Sequence, residues 1–229
     1  MAHPKSYAIS RALLRWLFAP FVRVHVVNRE ATARAEPYIL AANHISHFDP
    51  QLIGVAARRK IDWMAMAELF ENPLVAAWCR AVDAFPVDRS RVDRRAVKTA
   101  LARLAAGAVV GIFPEGGIRD GAASVLGGTE IRPGVGALAQ LSGAPVLPAV
   151  ILGTDRLYAP RAWLPGRRTP VWMAFGEPLP CCPPGKQGRQ AFEQGVAESL
   201  RALAQTLRIR FDLTDADLPQ SSTRRKGRE

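Results

Sequence analysis

His44 and Asp49 lie five residues apart in the run NHISHFDP at 43–50. An imidazole that shares a turn with a carboxylate can act as a general base, with the carboxylate fixing the ring's tautomer. The same pair admits plainer roles: Asp before Pro is a good helix N-cap, and a loop histidine can be no more than a satisfied polar group. Further along, Arg89 ends FPVDR at 85–89, and FPEGGIRDG at 113–121 sets Glu115, Gly116, Gly117 and Arg119 in a glycine-rich turn. A guanidinium can bind two oxygens of one phosphate, and consecutive glycine amides can face an anion. Read singly, Arg89 belongs to a basic run with Arg91, Arg94 and Arg95, as a solvated face would, and the glycines serve a turn.

Such residues need elements to position them. The apolar run YILAAN at 38–43 reads as a buried strand, and PQLIGVAARR at 50–59 as an amphipathic helix with Pro50 at its first position. Further strands are predicted at 21–28, 61–66, 84–87, 144–152 and 171–176. AVVGIFPEGG at 108–117 reads as a strand running into a turn. Helices are predicted near 73–81, 90–106, 133–142 and 187–208; in the second, Val92, Ala96, Val97, Ala100, Leu101 and Leu104 share a face and Gly107 closes it. Alternating strands and helices predict an α/β fold with a mostly parallel central sheet flanked by helices. Loops at the carboxyl ends of such strands carry function, so His44 and Glu115 are expected to meet at one edge. Pro148, inside the apolar run APVLPAVI, predicts an edge strand or a bulge.

The chain of 229 residues suits one domain, and 48% hydrophobic with 22% charged residues is a globular composition. A net charge of +11 points to an anionic partner: nucleic acid, an anionic bilayer or a phosphorylated substrate. No zinc-finger spacing, helix-turn-helix or basic–aromatic interleaving supports nucleic acid. Cys79, Cys181 and Cys182 make no disulfide framework or metal spacing, which favours reduced thiols and a cytoplasmic setting. His44, His47 and Asp49 can also be read as H-x2-H-x-D of a metal-dependent hydrolase. The only other histidines are His3 and His25, too few for the usual ligand set, and no metal is expected.

Residues 1–20 are read as a separate amphipathic helix, 21–212 as the main domain and 213–229 as a basic, disordered tail. Arg11, Arg15 and Pro20 interrupt the N-terminal apolar stretch, so neither a spanning helix nor a cleavable signal is expected. Ile9, Leu13, Trp16, Leu17 and Pro20 fall on one face, with Arg11 and Arg15 on another side. Two readings fit: an interfacial helix on an anionic membrane, which the overall charge favours, and a helix packed on the protein's own core. The first places the chain peripherally or monotopically at the cytoplasmic face of the cell membrane.

Taken together and in order, the H-x4-D pair, the block ending in Arg89, FPEG at 113–116 and the apolar block with Pro148 resemble the glycerolipid acyltransferase family, the 1-acylglycerol-3-phosphate acyltransferases and their relatives. The resemblance runs from about residue 38 to 152. It implies transfer of a fatty acyl group from a thioester, acyl-CoA or acyl carrier protein, to the hydroxyl of a lysophospholipid, with no other cofactor. It further implies His44 as base, Asp49 as its partner, Arg89 and Arg119 on the acceptor's phosphate, and Glu115 positioning an arginine or a substrate hydroxyl. The family commonly reads F-P-E-G-T-R. Here Gly117 replaces the threonine and Arg119 follows Glu115 by four residues rather than three. That extra residue leaves the head group open between lysophosphatidic acid and another lyso-lipid, such as a lyso-ornithine lipid. A non-catalytic membrane-binding protein is the remaining alternative.

Overall fold

A computed structural model of the chain describes residues 4–90, 93–164, 166–221, 223 and 225; His3, Arg91 and Val92 lie outside them. Seven strands form one sheet: β1 (Val22–Val27), β2 (Ile39–Ala42), β3 (Ile61–Met66), β4 (Phe85–Val87), β5 (Val109–Ile112), β6 (Val146–Leu152) and β7 (Thr169–Phe175). Their order is β1-β7-β6-β2-β5-β3-β4. The five strands from β6 to β4 run parallel, whereas β7 pairs antiparallel with β6 and carries β1 parallel beside it. The mostly parallel α/β sheet is thus as predicted, and its parallel part points the carboxyl ends of β2, β4, β5 and β6 toward one edge.

Alternation along each strand divides the core in two. Ile39 and Ala41 of β2 face a layer formed by α4 (Arg94–Ala105), α5 (Val135–Ser142) and α6 (Gly185–Phe211), packed through Ala100, Leu104, Leu138, Ala139, Val196 and Leu200. Leu40 and Ala42 face the opposite layer, where Leu52, Ile53 and Ala56 of α2 (Asp49–Ala56) and Phe18 of α1 (Pro4–Phe18) close the sheet. A strand buried on both faces reads as an unbroken apolar run, which is why YILAAN lacks polar alternation. Helix α3 (Pro73–Ala81) starts where Asn72 accepts the amides of Leu74 and Val75. Helix α4 begins at Arg94 rather than at 90, because the Asp93 carboxylate caps the amides of Arg95 and Ala96.

Of the two readings of Pro148, the structure shows the bulge. Pro148 is not on an edge: β6 lies between β7 and β2 and is buried throughout. The Val146 amide donates to the Leu179 carbonyl on the β7 side, and Pro148, two residues on, turns its ring nitrogen the same way. There the register slips. Val146 faces Leu179 and Ala149 faces Phe175, so three steps of β6 oppose four of its partner, and the bulge absorbs the missing donor. Among the described residues of the C-terminal segment, the side chain of Arg225 is buried in an ion pair with buried Asp155. The Arg11 guanidinium reaches inward to the end of α2, donating to the carbonyls of Val55 (3.1 Å) and Ala57 (2.5 Å).

The apolar stripe of α1 faces out. Ile9 is 67% and Trp16 77% exposed, beside exposed Leu13 and Leu17, while Ser10 and Phe18 are buried against the domain. Among the described residues no helix is long and apolar enough to cross a membrane.

Candidate active site

The His44 loop leaves the carboxyl end of β2. The buried Asn43 side chain ties its start to β6 like an added rung of the sheet, donating to the Ile151 carbonyl (3.0 Å) and accepting the Ile151 amide (2.8 Å). The backbone of His44 is held on both sides: its amide donates to Glu115 Oε2 (2.6 Å), and its carbonyl accepts the Arg119 amide (2.8 Å). Phe113 stacks on the imidazole with centroids 4.0 Å apart, and Trp63 stacks on Phe113 at 4.6 Å.

Nδ1 of His44 lies 2.8 Å from Oδ2 of Asp49, which is fully buried. A carboxylate only accepts, so Nδ1 carries the proton and Nε2 is left with a free lone pair. Oδ2 also accepts the amides of Ile45 (2.7 Å) and Ser46 (2.8 Å), and Oδ1 accepts the hydroxyl of Thr154 (2.5 Å). Asp49 therefore does not cap α2, whose N-cap position is Phe48 without a side-chain bond. Its oxygens turn back onto the preceding loop and the imidazole. Thr154, from the carboxyl end of β6, escaped the sequence reading because nothing local marks it.

Both oxygens of Glu115 take backbone amides, those of His44 and Val125 (2.7 Å), so its carboxyl knits two loops. Burial pushes its carboxyl up to about 7, against the pull of those amides and of His44. Gly116 sits at φ +68° and donates its amide to the Phe113 carbonyl, closing the turn, so that amide is not turned to an anion. Arg89 Nη1 donates to the Gly116 carbonyl (2.8 Å), which brings β4 onto the FPEG loop beside Gly117. Arg119 is half-buried, and among the described residues its guanidinium makes no hydrogen bond or ion pair. A residue missed from sequence, Arg132, lies across the same loop: its amide donates to the Pro114 carbonyl (2.8 Å), and a Cβ on Gly116 would stand 2.6 Å from its Cδ. The guanidinium groups of Arg89 and Arg132 thus flank the glycine turn, and the Arg119 backbone joins it to His44.

An apolar cleft of about 680 Å³, counting its open mouth, lies between α1, α2, α3 and β3. Tyr7, Leu14, Gly54, Trp63, Leu69 and Trp78 line it, and Trp63 joins it to the His44–Phe113 stack. Among the described residues no three His, Cys, Asp or Glu side chains are grouped to hold a metal, and the His47 ring packs edge-on against Tyr158.

The Acyltransferase family profile matches residues 23–152, more than half of the chain. A 1-acyl-sn-glycerol-3-phosphate acyltransferase of Bacillus subtilis is 30% identical over 131 residues, 57% of this chain and 63% of the relative. One of Streptococcus pneumoniae is 27% identical over 146 residues, 63% of this chain and 50% of the relative. The chain thus matches less than two thirds of the length of these curated relatives. The crystal structure of the 1-acyl-sn-glycerophosphate (LPA) acyltransferase PlsC from Thermotoga maritima superimposes with a TM-score of 0.66 at 25% identity, over 87% of this chain and 79% of that one. With the dyad, the FPEG loop and the doubly covered sheet all falling within or beside the matched region, the chain belongs to the Acyltransferase family.

Proposed function

We propose that the protein moves a fatty acyl group from a thioester donor, acyl-CoA or acyl carrier protein, to the free hydroxyl of a lysophospholipid. The preferred acceptor is 1-acylglycerol-3-phosphate and the product phosphatidic acid. The observation that carries this reading is the His44 Nδ1–Asp49 Oδ2 contact, which leaves Nε2 open beside the FPEG loop. A lipid hydroxyl is a poor nucleophile near neutral pH and needs a base within hydrogen-bond reach. Nε2 takes the hydroxyl proton as the oxygen attacks the thioester carbonyl. Asp49 holds the ring and stabilises the imidazolium. Collapse of the tetrahedral intermediate breaks the C–S bond, and the imidazolium returns its proton to the leaving thiolate. No covalent acyl-enzyme is needed.

Arg89, Arg119 and Arg132 supply the cationic side for the acceptor's phosphate, and the apolar cleft behind Trp63 is the place for an acyl chain. The exposed stripe of α1 and the net charge of +11 support peripheral attachment to an anionic membrane. The one-residue displacement of Arg119 favours keeping a second acceptor, a lyso-ornithine lipid, in the test. Product analysis with a panel of lyso-lipids, each offered acyl-CoA and acyl carrier protein, decides acceptor and donor. Phosphatidic acid is the expected main product, and no acyl transfer to any acceptor would refute the proposal.

A further inference from the structure

The dyad carboxylate is also held from a side that the H-x4-D spacing does not reach. Oδ2 of Asp49 serves His44 and the loop amides, while Oδ1 accepts the hydroxyl of Thr154, 105 residues away in sequence and itself fully buried. The next residue, Asp155, is equally buried, and its Oδ2 accepts Nε of Arg225 (2.6 Å) and the Gln220 amide (3.1 Å). Arg225 Nη2 donates to the carbonyls of Ala216 and Leu218, both at 3.2 Å, so the C-terminal segment closes on itself over this turn. Arg156, one residue on, pairs with Asp217 of the same segment. Three consecutive residues therefore join the dyad to the end of the chain.

We infer that Thr154 is a positioning residue that selects the working orientation of Asp49, and that the C-terminal segment braces it through the Arg225–Asp155 pair. The inference rests on the acyltransferase reading of His44 and Asp49. A carboxylate offers two equivalent oxygens, and the donors around it decide which one faces the imidazole. Without the threonine hydroxyl, Oδ1 is a buried acceptor with no donor, a costly state that rotation of the carboxylate relieves at the expense of the His44 contact. The brace follows from the same physics. A buried carboxylate that loses its cation is destabilised, so the Asp155 turn shifts, and Thr154 is one peptide bond away.

The test measures kcat and KM of the full chain with lysophosphatidic acid and an acyl thioester, with thermal midpoints alongside. Thr154→Val, nearly isosteric but without the hydroxyl, is expected to lower kcat about tenfold to a hundredfold, as small misplacements of a catalytic group do. KM should stay within about twofold, since no substrate contact is removed. Thr154→Ser should restore kcat to within about threefold, because the hydroxyl returns. Arg225→Ala should lower kcat about threefold alone and not at all in the Thr154→Val background, the mark of two residues acting along one path. An unchanged kcat in folded Thr154→Val, or a serine variant no better than valine, overturns the positioning role. An equal loss from Arg225→Ala in both backgrounds overturns the brace. Should Thr154→Val fail to fold, Thr154→Ala against Thr154→Ser decides the same point. A wild-type protein that transfers no acyl group refutes the acyltransferase reading itself, whereas an active wild type with an unaffected Thr154→Val refutes only the inference.

Discussion

At the base end of the site, the His44 ring lies between Asp49 and Phe113, and its backbone is pinned by Glu115 and Arg119. Across the same sheet edge, the guanidinium groups of Arg119 and Arg132 make no hydrogen bond with any described residue, and Arg89 reaches only the Gly116 carbonyl and the Met66 sulfur. One end is pre-organised before substrate arrives. The other leaves most of its donors unspent among the described residues, as the proposed phosphate-binding role requires. A base gains from rigidity because its geometry sets the rate, whereas a binding group gains from unspent hydrogen bonds.

The sharpest way to break the rigid end is Asp49→Asn. The amide NH2 would face donors at one of the two oxygen positions, and the imidazole would lose its tautomer control. A fall in kcat of about ten-thousandfold is expected in the folded variant, the size of effect a wrong imidazole tautomer produces. A fall below tenfold would mean that the ring is oriented by Phe113 and the backbone alone.

Glu115 gives the rigid end a pH signature. Its folded value of about 7 lies above the ordinary carboxylate value, so between about 4.5 and 7 the folded protein binds more protons than the unfolded chain. Stability from this group is therefore greatest in acid and declines as pH rises through that window, by up to about 3 kcal/mol. Thermal midpoints against pH should show this decline in the wild type and a flatter profile in Glu115→Gln. Parallel profiles would show that Glu115 titrates as an ordinary carboxylate.

The binding end should respond differently. Arg119→Ala and Arg132→Ala are each expected to raise KM for lysophosphatidic acid about tenfold, the loss of one charge-assisted contact, with kcat nearly unchanged. Arg89→Ala should cost less, since that side chain already spends a donor on the protein. A fall in kcat without a change in KM would move these arginines from binding to catalysis.

The smallest expected effect separates the two faces of α1. Trp16→Ser should weaken binding to anionic vesicles about tenfold, from the apolar area lost, while shifting the thermal midpoint little. Unchanged vesicle affinity would remove α1 from the membrane contact.

The same contrast explains what could be read from sequence. The dyad is legible because it is local: five residues on one turn bring His44 near Asp49, and β2 and α2 carry strong signals on either side. The FPEG loop was legible as a block, but the job of Glu115 was not, because its partners are amides of other loops. Asn43, Thr154 and Arg132 are placed by sheet order, which no linear pattern reports. For Pro148 the sequence leaves an edge and a bulge open, because the residue that makes the bulge lies in the neighbouring strand. The contact of Arg225 with buried Asp155 likewise has no local signal in the composition of the tail.

The central claim, that His44 is the base of an acyl transfer to a lipid hydroxyl, is tested most directly by following phosphatidic acid formation from an acyl thioester and lysophosphatidic acid. Wild type and a folded His44→Ala variant are compared under the same conditions. The wild type should form product and the variant should lose at least about a hundredfold in rate, the contribution of a general base. Wild-type turnover in folded His44→Ala would contradict the claim.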